Sequence, residues 1–201
     1  MRLLIAYTSR YGATQGIAEQ IAKMLRLQGL DALVQPASRT DDPAGFDAFV
    51  IGSAVYYFHW MRHSRSFVRR NRDLLAARPV WLFSSGPLGF KPNDAQGRDL
   101  RVVTEPREIA EFRNTIRPRD HRVFFGALNP DRLGFTHRLV LKLPVNRDNA
   151  IFPVGDFRDW NDIEAWSDNI ALELLRPGDG RDRRQLNPEF EKSGGADRLR
   201  V

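Results

Sequence analysis

The sequence predicts an α/β domain built on a parallel sheet with helices on both faces. Three observations predict it. Short apolar runs alternate with stretches of helical periodicity along most of the chain. The first of these runs has no polar alternation, as expected of a strand covered on both faces. That run also passes into a helix through a loop rich in hydroxyls and glycine, "YTSRYGATQG".

Leu3–Tyr7 reads as the first strand. Thr14–Gln28 reads as the first helix, with Ile17, Ile21, Met24 and Leu25 at helical spacing and Gly29 available to stop it. Asp31–Ala37 and Phe49–Ser53 follow as strands two and three. Ser64–Leu75 reads as one helix with Phe67, Val68, Leu74 and Leu75 toward the core. Pro79–Ser84, "PVWLFS", is the fourth strand, Pro106–Ile116 a helix, and Val123–Leu128, "VFFGAL", the fifth strand. Asn161–Leu175 is the last helix, with Ile163, Trp166, Ile170 and Leu174 on one face. Right-handed crossovers then place helices on both faces of a five-stranded sheet. The domain spans 1–175. Residues 129–157 form an insertion, longer than a connection of this kind needs. Residues 176–201, rich in Gly, Asp and Arg, are expected to be a mobile tail.

The chain has 201 residues, 42% of them hydrophobic, which is enough for one sizeable core. It contains no cysteine, so thiolate metal sites, thiol nucleophiles and disulfides are excluded. His59 and His63 stand four apart, but no third ligand accompanies them, so no metal is expected. No apolar run approaches the roughly 20 residues that span a bilayer. The chain starts directly on a strand, and a cytoplasmic protein is expected, with peripheral contact to the inner face of a membrane as an extension of that reading. The net charge of +6 and pI of about 10.1 favour acidic partners. The arginines are scattered, and no helix-turn-helix or zinc-finger pattern appears, so nucleic acid is not expected.

The first loop carries the chemistry. A loop between a strand and a helix N-terminus points free N–H groups at an anion. Thr8, Ser9 and Thr14 add hydroxyl donors, Gly12 and Ala13 add backbone N–H groups, and Arg10 adds either charge or only a solvated side chain. A triphosphate loop needs a Gly-Lys-Ser/Thr ending, and a dinucleotide loop needs three glycines; both are missing. A single terminal phosphate, that of FMN, fits best. The alternative is an ordinary turn capped by Ser9 or Thr14.

Ligands of such sheets bind beyond the carboxyl ends of the strands. Two more loops lie there. After the third strand, "GSAVYYFHWMRH" offers Ser53, Ala54, Val55, Tyr56 and Tyr57 along a ring edge. Tyr56, Tyr57, Phe58 and Trp60 supply aromatic faces. After the fourth strand, "SSGPLGFKPND" offers Ser84, Ser85, Gly86 and Gly89 at the opposite edge. His59 is a candidate proton relay, with a packing role as its alternative.

These stretches resemble the flavodoxin-like proteins, and within them the menaquinone-dependent protoporphyrinogen IX dehydrogenase family. "TSRYGAT" resembles that family's phosphate loop, and "IGSAVYYFHW" its second loop. "FFGAL", a basic and aromatic insertion, and then "FRDW" resemble its carboxyl half. "SSGPLGFKPND" departs from it by its extra Gly and Pro. The resemblance implies strand order 2-1-3-4-5, FMN as cofactor, and an oxidoreductase that passes electrons from an organic donor to a quinone. Two other readings stand beside it: a carrier that only shuttles electrons, and a flavin-free binding module. The basic charge speaks against the carrier, since flavodoxin carriers are typically acidic. Within the insertion, 129–145 reads as a basic amphipathic helix opened by Asn129-Pro130, suited to a membrane interface, to its own domain or to a second copy in a homodimer.

Overall fold

A computed structural model describes residues 1–40, 42–86, 89, 91–132 and 153–176. Most of the stretch expected to form the insertion helix, 133–145, and the tail from 177 onward fall outside the described residues, as do positions 87, 88 and 90 of the third loop.

β1 (Arg2–Thr8) runs into α1 (Ala13–Leu27), and β2 is Asp31–Pro36. β3 (Ala48–Tyr56) turns back on itself into β4 (His59–Trp60). Then come α2 (Arg62–Arg70), α3 (Arg72–Ala76), β5 (Val80–Ser85), α4 (Leu100–Val103) and α5 (Glu108–Thr115). β6 (Asp120–Phe124) and β7 (Ala127–Leu128) follow, with a 3-10 turn at Pro130–Arg132. β8 (Gly155–Asp156) leads to α6 (Trp160–Leu175). The main sheet is parallel in the order β2-β1-β3-β5-β6, with β4 paired antiparallel to β3 at its carboxyl end. Counting only the five parallel strands, this is the expected order 2-1-3-4-5.

Strand alternation sorts the core into two layers. Leu3, Ile5, Val50, Trp81 and Phe83 point to one face, where Ile17, Ile21 and Leu25 of α1 and Ile163 and Ile170 of α6 cover them. Leu4, Ala6, Phe49, Ile51 and Leu82 point to the other, covered by Phe67 and Val68 of α2, Leu75 of α3, and Ile109 and Phe112 of α5. Leu3, Leu4, Ile5 and Ala6 are all fully buried, which is why the first strand lacks alternation.

The elements differ from expectation in four places. The helix expected over Ser64–Leu75 starts at Arg62 and breaks at Asn71, whose side-chain amide donates to the Phe67 carbonyl at 2.8 Å and so ends α2. The third strand continues to Tyr56 and closes a hairpin. The fifth strand begins at Asp120, earlier than Val123, because an edge strand tolerates the polar Asp120-His121-Arg122 start. Ala127–Leu128 leaves the main sheet and pairs with Gly155–Asp156, so the two ends of the insertion are tied together.

Candidate functional site

At the carboxyl end of β1 the chain turns at Gly12, which has φ 87°. Only glycine adopts this conformation without strain. The Gly12 N–H donates to Ser9 Oγ at 3.0 Å, which shapes the loop and leaves the Ser9 hydroxyl proton free. α1 opens with no side-chain cap and no acidic residue in its first turn. Ser9 thus caps the turn at the Gly12 N–H, while no side chain caps the first N–H groups of α1 itself. Its uncapped N–H groups and the positive end of the helix dipole fit a phosphate. Thr14 is buried at this end. Thr8 is mostly buried, with Oγ1 2.7 Å from Ser64 Oγ of α2. Ser64 has one proton and also faces the Gly52 carbonyl at 2.8 Å, which can only accept. Thr8 is then the donor to Ser64, so its hydroxyl is committed to bracing the loop. Arg10 lies over the Tyr11 and Tyr56 rings, 5.5 and 5.7 Å from their centroids, rather than along the loop.

The second loop is a two-residue hairpin. Tyr57 and Phe58 have φ 51° and 63°, both left-handed, where Asn and Gly are the usual occupants. Their rings stand out: Tyr57 is 92% exposed and Phe58 48%. The tip thus offers exposed aromatic faces on strained backbone. Tyr56 is partly exposed beside Arg10, and burial first and Tyr11 second raise its pKa. Ser53 is fully buried and accepts from the Met61 N–H at 2.9 Å, so its side chain holds the hairpin. Val55 approaches the third loop: a Cβ on Gly86 would lie 3.1 Å from Val55 Cβ, so Gly86 is what lets the two loops touch.

A buried acid anchors the hairpin. Glu108, 5% exposed, receives His59 Nδ1 at 2.8 Å, the Trp60 N–H at 3.2 Å and Arg65 Nη1 at 3.1 Å. Burial works against its charge, but the bonds from His59 and the backbone N–H groups prevail and hold the carboxyl below its ordinary range. His59 is thus given a partner that the sequence did not suggest. Ser84 turns inward. Its Oγ accepts from Trp60 Nε1 at 2.7 Å and lies 2.8 Å from His121 Nε2, while His121 Nδ1 faces Glu105 at 3.1 Å. Burial pushes the His121 pKa down although Glu105 pulls it up. A neutral ring donating from Nδ1 to Glu105 and accepting the Ser84 proton satisfies all four groups. Ser84 therefore keeps only its backbone for a ligand. Ser85 is also buried, and Gly89 (φ 109°) continues the loop.

Two arginines beside the insertion reach α1. A Cβ on Gly12 would overlap Arg132 Nη1, with Cζ 3.4 Å away, so the guanidinium rests on the loop glycine. Arg158 lies against Gly16, stacks over Trp160 at 4.3 Å and is held by both oxygens of Asp156 at 2.8 and 2.6 Å. A groove of about 730 Å³ runs here, between Gln15, Glu19 and Lys23 on one wall and Leu128, Arg132 and Asp156 on the other. The second and third loops do not line it. Among the described residues no group of three or more His, Asp or Glu side chains is placed to hold a metal. No described helix is long and apolar enough to cross a membrane.

The structure thus brings Ser9, Gly12, Ala13 and Thr14 together at one helix end, and Val55 together with Gly86 at the neighbouring strand ends. It is the arrangement of an α/β protein built to hold a flat, singly phosphorylated cofactor. Comparison with known proteins agrees. The flavodoxin domain family matches residues 4–150, and the chain belongs to it; its cofactor is FMN. Protoporphyrinogen IX dehydrogenase [quinone] of Escherichia coli K12 is 25% identical over 176 residues, covering 85% of this chain and 95% of that protein. Among solved structures, a cysteine-to-serine mutant of flavodoxin from Pseudomonas aeruginosa superposes with TM-score 0.54 at 17% identity, over 87% of this chain and 99% of that one. A flavodoxin from Streptococcus pneumonia TIGR4 gives 0.52 at 14%, over 86% and 99%.

Proposed function

We propose that the chain is an FMN-dependent oxidoreductase that takes electrons from an organic donor, a protoporphyrinogen or a molecule like it, and passes them to a quinone. The observation that carries this reading is the end-to-end likeness to a quinone-linked dehydrogenase, which spans 95% of that relative. The site geometry and the net charge of +6 support it. Bound FMN supplies the redox chemistry, accepting electrons from one partner and yielding them to the other. The protein binds, orients and shields.

The phosphate would be held by the N–H groups of Ala13 and Thr14 and by hydroxyls from Ser9 and Thr14, the Gly12 N–H being taken by Ser9 Oγ. The hairpin residues Ala54, Val55, Tyr56 and Tyr57 and the Ser85-Gly86 and Gly89 backbone would hold the ring. Tyr57 is free to stack on one face, since nothing else buries it. Glu108 fixes the hairpin and Ser84–His121–Glu105 fixes the base of the third loop, so the ring edges meet a rigid frame.

The second reading, a carrier without substrate specificity, is favoured by the flavodoxin neighbours alone, which speak for the fold and no more. Anaerobic stopped-flow separates the two. The protein, chemically reduced and mixed with menaquinone, should reoxidise at least about tenfold faster than free reduced FMN. Equal rates would remove the enzyme reading and leave the carrier.

A further inference from the structure

A phosphate monoester brings about 1.5–2 negative charges to its site at neutral pH. The end of a helix offers only about half a positive charge. The loop has one basic residue, Arg10, and its guanidinium is spread over the Tyr11 and Tyr56 rings. Backbone N–H groups and hydroxyls can hold such an anion, and a cation from outside the loop would add to them. Arg158 is not suited: Asp156 holds it with two bonds, and it donates to the Ala13 carbonyl at 3.4 Å.

Arg132 is suited. Its guanidinium lies directly on Gly12, the residue at which the loop turns. Among the described residues it has no ion pair. Its position is built. The Asn129 side chain accepts from the Asp131 N–H at 2.8 Å, and the Asn129 carbonyl accepts from the Arg132 N–H at 3.1 Å. This closes the Pro130–Arg132 turn. The turn grows out of β7, which β8 pins in place, and the Phe157 N–H ties the far side back to the Gly126 carbonyl at 3.0 Å. A planar fork of donors matches two phosphate oxygens at once.

The geometry points to Arg132 as a phosphate clamp: a cation held over the loop glycine from the start of the insertion, which pairs with the FMN phosphate and favours the phosphorylated flavin over riboflavin. This rests on the reading of the first loop as the phosphate site. It makes the Pro130–Arg132 turn part of the cofactor site.

The test titrates the full-length apoprotein with FMN and with riboflavin, following flavin fluorescence at low and at high salt. Arg132→Gln should weaken FMN about tenfold, a loss of roughly 1.4 kcal/mol, and leave riboflavin within about twofold. The deficit should shrink at high salt, because the contact is partly exposed. Arg132→Lys should recover part of it. Arg158→Gln should leave the FMN-to-riboflavin ratio unchanged. Thr14→Val tests the loop separately by lowering the same ratio. If Thr14→Val lowers the ratio and Arg132→Gln does not, the clamp is wrong and the loop reading stands. A parent protein that shows no preference for FMN overturns both. If Arg132→Gln weakens the two flavins equally, or if Arg158→Gln matches its effect on the ratio, Arg132 is not a phosphate ligand.

Discussion

Replacing Tyr57 by Asn should make the apoprotein more stable and the flavin complex weaker. Tyr57 sits at φ 51°, the first central position of a two-residue turn. The left-handed region costs a side-chain-bearing residue about 1–2 kcal/mol, and Asn visits it more readily than an aromatic does. The ring is 92% exposed, so its removal forfeits almost no burial. The net gain is then about 0.5–1 kcal/mol, and at roughly 2–4 °C per kcal/mol for a domain of this size the melting temperature rises about 1–4 °C. The cost falls on the cofactor. An aromatic stack contributes about 0.5–1.5 kcal/mol beyond area burial, so FMN should bind roughly 2–12-fold more weakly. Thermal melts of the apoprotein and a fluorescence titration read the two effects separately. Tyr57→Phe keeps ring and strain alike and should move neither. A lower melting temperature for Tyr57→Asn would refute the strain argument. Unchanged FMN affinity would refute the placement of Tyr57 on the ring.

Two further outcomes follow from the packing. Gly52→Ala should destabilise by about 1–3 kcal/mol, because the added Cβ overlaps three atoms of the fully buried Phe83 ring; denaturant melts should show the loss, and Phe83→Leu in the same chain should recover part of it. The buried His121 makes stability fall with acidification. Its folded pKa lies below the ordinary 6.5, so the unfolded chain binds the proton first, and this contribution, complete above about pH 6.5, drains away as the pH drops through that value toward the folded pKa. Melts from about pH 8 to 5.5 should slope downward for the parent and stay flatter for His121→Gln. The carboxylates held low, Glu105, Glu108 and Asp156 among them, act in a separate window, their contribution being lost only below their ordinary pKa values.

What the sequence showed and what it hid divide along one physical line. The β1–loop–α1 unit was legible because its signals are local: an unbroken apolar run, a glycine at the turn and a helical stripe. Those residues are also the ones the structure buries. The hairpin was not legible. A turn with two left-handed residues normally announces itself with Asn and Gly, and here Tyr and Phe stand there instead. β6 was cut short because its first residues, Asp120 to Arg122, are polar, and apolar runs were what marked strands. Ser84 looked like a loop hydroxyl, yet Trp60 and His121, both far from it in sequence, draw it into the core. Glu108 in the first turn of α5 reads as a residue that complements a helix dipole. Nothing local says that a hairpin nearly fifty residues earlier closes on it.

That closure explains how the aromatic tip can exist. Two aromatic residues in the left-handed region strain a turn that Asn and Gly would occupy freely. Here every strand end of the hairpin is tied down. Ser53 takes the Met61 N–H, Glu108 takes Trp60 and His59, and the Phe58 carbonyl accepts from the Arg107 N–H at 3.0 Å. Arg65 balances the buried charge, so the acid is not left uncompensated. The strain is therefore offset by bonds made beneath the tip. A ligand entering this site meets a turn already held in its working shape, and less of its binding energy goes into ordering the loop. The same reasoning applies at the first loop, where Thr8, Ser64 and Ser9 brace the backbone before any phosphate arrives. In both places the hydroxyls and charges that touch the core set the geometry, and the groups left over are the ones available to the cofactor.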